Sequence, residues 1–120
     1  MERLKQRADF LAAAKGARVP ADAFVLQARA RGDTAPTRFG FTVSKKVGTA
    51  VERNRVRRRL KEIVRRNAAL IPEGGDDYVL IGRRAALAMP FRRINAEFSS
   101  AMTRLEQISR AAARAALNER

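Results

Sequence analysis

Apolar positions recur at two different spacings along this chain, and the switches between them mark its elements. From Gln6 to Lys15 the run ADFLAAAK is rich in helix formers, and Gly16 stands where a left-handed C-terminal cap would fall, which predicts a short first helix. After Pro20, the segment Phe24 to Arg31 reads as a strand. The turn-like Gly32, Asp33, Thr34, Ala35 and Pro36 separate it from a second strand, Arg38 to Ser44, and the pair predicts a hairpin. In that second strand Phe39, Phe41 and Val43 share one face. Gly40, Thr42 and Ser44 share the other, small enough to predict close approach by something other than side chains.

Thr49 followed three residues later by Glu52 has the spacing of a capping box, with Gly48 just before it, so a helix is expected to begin here. Val56, Leu60, Ile63 and Val64 then repeat at helical spacing as one buried stripe, up to about Asn67, ahead of Pro72, Gly74 and Gly75. Asp77 to Ile81 (DYVLI) is nearly all apolar, as a strand in a sheet interior would be. Pro90 is expected to open a last helix with Ile94, Phe98, Ala101, Leu105 and Ile108 on its apolar face and an Ala-rich end that frays from Ala111. The order helix, hairpin, helix, strand, helix predicts an α/β fold: a small mixed sheet packed with about three helices in an α+β two-layer sandwich, forming a single domain over residues 1–120.

Charge changes this picture from a generic sandwich to a specialised one. Among the 120 residues 26 are basic and 12 acidic, giving +14, while 46% hydrophobic content is enough to drive folding. Only Lys5, Lys15, Lys45, Lys46 and Lys61 are lysine, so arginine dominates. Its planar fork of donors matches a phosphate bidentately and loses water more readily than an ammonium does. Nucleic acid is the partner this favours. With no cysteine there is no disulfide framework, no thiolate nucleophile and no thiolate zinc site, a composition that suits the cytoplasm. With no histidine the commonest proton shuttle near neutral pH is missing, which speaks against nuclease chemistry by the side chains themselves. Phe10 to Ala14 is too short for a signal core, and no run approaches a membrane span.

The cations concentrate between Val51 and Arg66. Arg53, Arg55, Arg57, Arg58, Arg59, Lys61, Arg65 and Arg66 stand there against Glu52 and Glu62 alone, with Lys45 and Lys46 immediately upstream. On a helix Asn54, Arg58, Lys61 and Arg65 share one face, Arg55, Arg59 and Arg66 another, and Arg53 and Arg57 border the apolar stripe on the Asn54 side. Two basic flanks would let the helix meet a large structured partner on one side and a second strand on the other. A run of charge is ordinarily a solvated face of mixed sign. Here the sign is single, and its self-repulsion is relieved by condensed phosphate. Membrane binding would need an apolar face free for lipid, whereas this narrow stripe is required by the core. A base-reading DNA helix would mix Asn, Gln, Ser and Thr among its arginines, and only Asn54 does so. Asp76 and Asp77 read as a turn preceding a strand in preference to a metal site.

The string FGFTVSKKVGTAVERNRVRRRLKE, Phe39 to Glu62, resembles the signature of the protein subunit of bacterial ribonuclease P. It centres on Arg53, Asn54 and Arg55 and is preceded by Ser44, Lys45, Lys46 and Gly48. The likeness extends to ADF in the first helix, to Phe24 to Leu26 and to DYVLIGRR at Asp77 to Arg84. It implies a left-handed βαβ crossover. It also implies that a catalytic RNA, using magnesium ions, removes the 5′ leader of precursor tRNA while the protein binds both RNAs and holds no catalytic residue, metal or small-molecule substrate of its own. By position, Arg53, Asn54, Arg55, Arg58 and Lys61 are implied to meet the catalytic RNA, and Lys45, Lys46, Arg57 and Arg65 are expected to bind RNA beside them. Phe10, Arg57 and Lys61 are implied to border a cleft for the leader, between the first helix and one sheet face. The family often carries aromatics at the positions of Ala14 and Gln27, which implies that this chain's leader grip rests more on charge than on stacking. A ribosome-associated RNA-binding or assembly protein with the same sandwich is the alternative.

Overall fold

A computed structural model describes residues 2–119 of the chain. Five strands form one mixed sheet: β1 (Glu2–Arg3), β2 (Ala17–Pro20), β3 (Phe24–Ala30), β4 (Arg38–Thr42) and β5 (Asp76–Gly82), in the spatial order β1-β4-β5-β3-β2. Three α-helices accompany them, α1 (Arg7–Ala14), α2 (Ala50–Arg66) and α3 (Phe91–Asn118). The sheet is parallel across β1, β4 and β5 and antiparallel across β5, β3 and β2.

The expected hairpin does not form. β3 pairs instead with β5, over seven residues from Phe24 opposite Gly82 to Ala30 opposite Asp76, and β4 lies on the far side of β5. The reason is burial: β5 is apolar on both faces, so it takes the centre, where both its edges are hydrogen-bonded and both its faces covered. The chain's antiparallel hairpin is β2 with β3, through the short turn after Pro20. Asp76 and Asp77 are the first residues of β5 and not a turn before it.

Strand alternation splits the core into two layers. Phe24, Leu26, Phe39, Tyr78 and Leu80 point to the face covered by α2 and α3, against Val56, Leu60, Ile63, Ile94, Phe98 and Leu105. Phe39 stacks on Tyr78 with centroids 4.9 Å apart, and Phe24 meets Phe98 edge to face at 6.3 Å. The opposite face carries α1, where Leu4, Phe10 and Ala13 pack on Val79 and Ile81. Since β1 is one edge of the sheet and β2 the other, α1 crosses this face from edge to edge. The last helix stays regular to Asn118, but its burial stops at Leu105 and Ile108 is 38% exposed, because no strand lies beneath the overhang.

Two glycines answer to tertiary neighbours and not to local turns. Gly16 is not a left-handed cap: Lys15 caps α1 in right-handed geometry, and a Cβ on Gly16 would collide with the Ala28 carbonyl. At Gly40 the small face of β4 is filled by a side chain after all, the Phe10 ring, which sits where a Cβ would be. Gly40→Ala is therefore expected to cost about 1–3 kcal/mol, read as a lower urea midpoint. Adding Phe10→Leu should recover part of that loss if the ring is the clash.

Candidate nucleic-acid interface

The N-terminus of α2 is fixed from several sides. Thr49 accepts from the Glu52 backbone N–H (3.2 Å), and the Glu52 carboxylate accepts from the Thr49 N–H (2.9 Å), completing the expected capping box. Arg84, beyond β5, donates to the Val47 carbonyl (2.6 Å) and lies 3.4 Å from Glu52, tying the short 3₁₀ turn Lys45–Val47 to the helix start. Gly48 leaves the room for this, since a Cβ there would overlap the Glu52 carboxylate. Hydrogen bonding from the Thr49 backbone, then Arg84, holds the Glu52 carboxyl below its ordinary range. Lys45 and Lys46, both exposed, are thus carried on an anchored turn at the head of the arginine helix.

The apolar stripe of α2 is buried as its spacing requires, with Val56, Leu60 and Ile63 fully inaccessible. Its two basic flanks fare differently. On one, Arg55 donates to the Leu87 carbonyl (3.3 Å) and Arg59 to the Met89 carbonyl, while Arg59 and Arg66 lie over the Phe91 ring, 5.5 and 4.6 Å from its centroid. Arg66 also pairs with Glu62 at 3.0 Å. Burial, then the neighbouring Arg55, pushes the Arg59 guanidinium below its ordinary value. Of the two basic flanks that the helical spacing defines, this one is largely engaged with the protein's own 84–91 segment.

The other flank faces outward. Arg58 and Asn54 are exposed and Arg53 is half-buried; neither the Arg53 nor the Arg58 side chain has a hydrogen-bond or ion-pair partner among the described residues. Asn54 accepts from Arg57 (2.8 Å), which fixes that guanidinium in direction without neutralising it. Lys61 leans over the Phe41 ring, 5.9 Å from its centroid. Burial, then Arg3 and Arg57, lowers its ammonium from the ordinary value. Arg65 is the exception on this flank, held by Glu62, whose carboxyl is drawn down to about 2 by Arg65 and Arg66. Arg53, Asn54, Arg57, Arg58 and Lys61 therefore lie along one flank of the helix, with Lys45 and Lys46 on the turn at its head, Arg65 at its end and Arg55 on the other side.

Phe10, Arg57 and Lys61 do not line one cavity. Phe10 sits under α1 against Gly40, whereas Lys61 packs on Phe41 on the opposite face of the same strand. Phe10 is half-buried, and among the described residues it is the aromatic side chain of the α1 face; Ala14 is exposed and Gln27 buried there. Sequence reasoning missed Arg3, which reaches the Lys61 neighbourhood only because the two-residue β1 pairs with β4.

Among the described residues no group of three His, Cys, Asp or Glu is placed to hold a metal ion, and no helix is long and apolar enough to cross a membrane. These features define a basic α/β sandwich whose arginine helix turns one flank of unneutralised cations outward, the arrangement of a phosphate-gripping protein. The ribonuclease P family model matches residues 1–106, and the chain belongs to that family. It is 57% identical over 82 residues to the ribonuclease P protein component of Gluconacetobacter diazotrophicus, covering 68% of this chain and 71% of that one. Over 109 residues it is 40% identical to that of Brucella suis, covering 84% and 77%. The fold agrees with the solved ribonuclease P protein of Thermotoga maritima (TM-score 0.73, 32% identity, covering 87% of this chain and 97% of that one). It agrees equally with that of Staphylococcus aureus (TM-score 0.72, 29% identity, 86% and 94%). The chain is thus the protein part of a tRNA-processing ribonuclease with an RNA partner, and this assignment does not favour the ribosome-associated alternative.

Proposed function

We propose that this protein binds the catalytic RNA of its holoenzyme through the outward flank of α2 and helps hold the 5′ leader of precursor tRNA, while the RNA cleaves the leader phosphodiester. The observation that carries this reading is the asymmetry of α2. Its Arg59 and Arg66 side is satisfied internally, and Lys45, Lys46, Arg53, Arg57, Arg58 and Lys61 are left with no carboxylate partner among the described residues, so their mutual repulsion is relieved by phosphate. Asn54 orients Arg57, and Arg55 and Arg65 extend the contact at its margins. The leader runs where Phe10 is half-exposed beneath α1, with Arg57 and Lys61 drawing its phosphates from the other side of β4. With Ala14 and Gln27 in place of rings, that grip depends more on charge than on stacking.

Magnesium belongs to the RNA in this scheme. The acidic side chains near the sheet end do not fit a resident ion: Asp77 is taken by Arg31 and Arg38, and Asp9 lies near Arg38 and Arg29. The protein alone is then inactive, and its place of work is the cytoplasm. Reconstitution of precursor cleavage with the candidate RNA, with and without protein across a magnesium series, tests this. The expected result is a lower magnesium requirement and a preference for precursor over mature tRNA when protein is present. Cleavage by the protein alone, or no effect on the RNA's activity, would overturn it.

A further inference from the structure

On the side of β4 opposite Phe10, the outward flank of α2 meets an aromatic surface that the proposed contacts do not use. Here β1, β4 and the C-terminal half of α2 line an open cavity of about 220 Å³. Phe41, half-buried, forms its floor and stacks on Phe39 with centroids 6.2 Å apart and rings 24° from parallel. Val64 closes the back, and Glu2, Arg3, Lys61 and Arg65 form the rim.

We propose that this cavity receives one unstacked nucleobase of the partner RNA, the base against Phe41 and its flanking phosphates on Arg3 and Lys61. The inference rests on the reading that the outward flank of α2 meets RNA, and it names what that flank takes hold of. Three observations point to a nucleotide in preference to a simple anion or an apolar ligand. The floor is a flat π surface, which every base can stack on and a free phosphate cannot use. The rim carries two cations, Arg3 and Lys61, with no carboxylate within ion-pairing distance among the described residues, whereas Arg65 is already held by Glu62. An apolar ligand would leave those charges uncompensated. The cavity is also too small for a run of stacked bases, so the occupant is a single base turned out of a helix, as at a bulge. Glu2 at the rim adds an acceptor for an exocyclic amine, which adenine, cytosine and guanine have and uracil lacks.

Lys61 now lies over the Phe41 ring, so a base entering the cavity displaces the ammonium outward onto the phosphate beside it. That movement takes the ammonium out of a crowded, partly desolvated position and gives it an anion, so stacking and charge pairing reinforce each other.

The test uses the full-length protein and three hairpin RNAs of one sequence: fully paired, with a single bulged 2-aminopurine, and with an abasic residue in place of that base. The bulged base should bind roughly ten-fold more tightly than the abasic hairpin, with quenched 2-aminopurine fluorescence. Phe41→Leu should abolish that preference while leaving the salt dependence of binding to the paired hairpin unchanged, and Phe10→Leu should preserve it. Equal binding of the bulged and abasic hairpins by the unmodified protein, with salt-dependent affinity intact, would overturn the base site and leave the RNA-binding reading standing. Loss of the preference in Phe10→Leu would overturn it as well, by placing the base on the other face. Failure of the unmodified protein to bind any of the hairpins would remove the underlying reading too. The first comparison and Phe10→Leu stand without Phe41→Leu, and either can overturn the site even if that variant does not fold.

Discussion

Replacing Asp77 with alanine is expected to remove about 3–5 kcal/mol of folding stability, a large share of what a domain of this size has. Asp77 has no exposed surface and accepts from Arg38 Nε and Nη2, both at 2.8 Å, and from Arg31. Arg31 donates onward to the carbonyls of Asp76 (3.0 Å), Ala35 (2.7 Å) and Pro36 (2.9 Å), so the carboxylate anchors the loop that carries the chain from β3 past β5 to β4. Without it, Arg31 keeps only the Asp33 carboxylate (3.1 Å) and Arg38 only that of Asp9 (3.3 Å), a void is left between the two guanidiniums, and the Arg31 side chain, only 6% exposed, cannot turn to water. Burial pushes the Asp77 carboxyl up, but the hydrogen bonds from Arg38 and Arg31 outweigh it and leave the group below its ordinary value. A carboxyl lowered by folding contributes stability that is present above the unfolded value, about 3.9, and lost as pH falls through the folded one. Urea midpoints measured from neutral pH down into that acid range should therefore fall in the parent protein. In Asp77→Asn they should start lower and fall less. A cost under about 1 kcal/mol for Asp77→Ala at neutral pH would show that the network positions the loop without stabilising the fold.

How much of the fold was legible depended on whether its cause was local. The capping box at Thr49 and Glu52, the stripe from Val56 to Val64 and the apolar run of β5 are local patterns, and each stands where its spacing put it. Strand pairing is not local. Arg38 to Thr42 joins β5 because the most apolar strand claims the centre of the sheet, a competition that no reading of the intervening turn reveals. β1 was unreadable for a related reason: two residues have no periodicity, and Glu2 and Arg3 are strand only because β4 offers an edge to them. Gly16 and Gly40 look like turn or spacing residues in the sequence, and in the fold they are the room left for the Ala28 carbonyl and the Phe10 ring.

The candidate site divides in the same way. Helical spacing assigned each cation of α2 to a flank, but not which flank would be free, since that depends on the Leu87 and Met89 carbonyls and on Phe91, which approach from beyond β5. The same holds for Phe10 and Lys61. They belong together in a list of positions, yet β4 stands between them, and any RNA that touches both must pass around the β1 edge.

Substituting Arg53, Arg58 and Lys61 together by alanine is expected to weaken binding to the catalytic RNA on the order of a hundredfold at moderate salt. It should also reduce the slope of log affinity against log salt by roughly two to three units. Each of these side chains lacks a carboxylate partner among the described residues, so removing it deletes a phosphate contact without freeing an internal acid, and the count of released counterions falls by nearly one apiece. Stability should change little, because relief of like-charge repulsion along the helix offsets the loss of Lys61 from the Phe41 ring. The matching triple substitution of Arg55, Arg59 and Arg66 is expected to do the reverse. Its slope should change by about one unit or less, contributed mainly by the exposed Arg55, while the urea midpoint falls because Arg59 and Arg66 cover Phe91 and Arg59 satisfies the Met89 carbonyl. Salt titrations of RNA binding beside urea denaturation of the two variants separate these effects. Equal slopes for the two triples would mean that α2 offers both flanks to RNA and that the 84–91 segment yields when RNA binds.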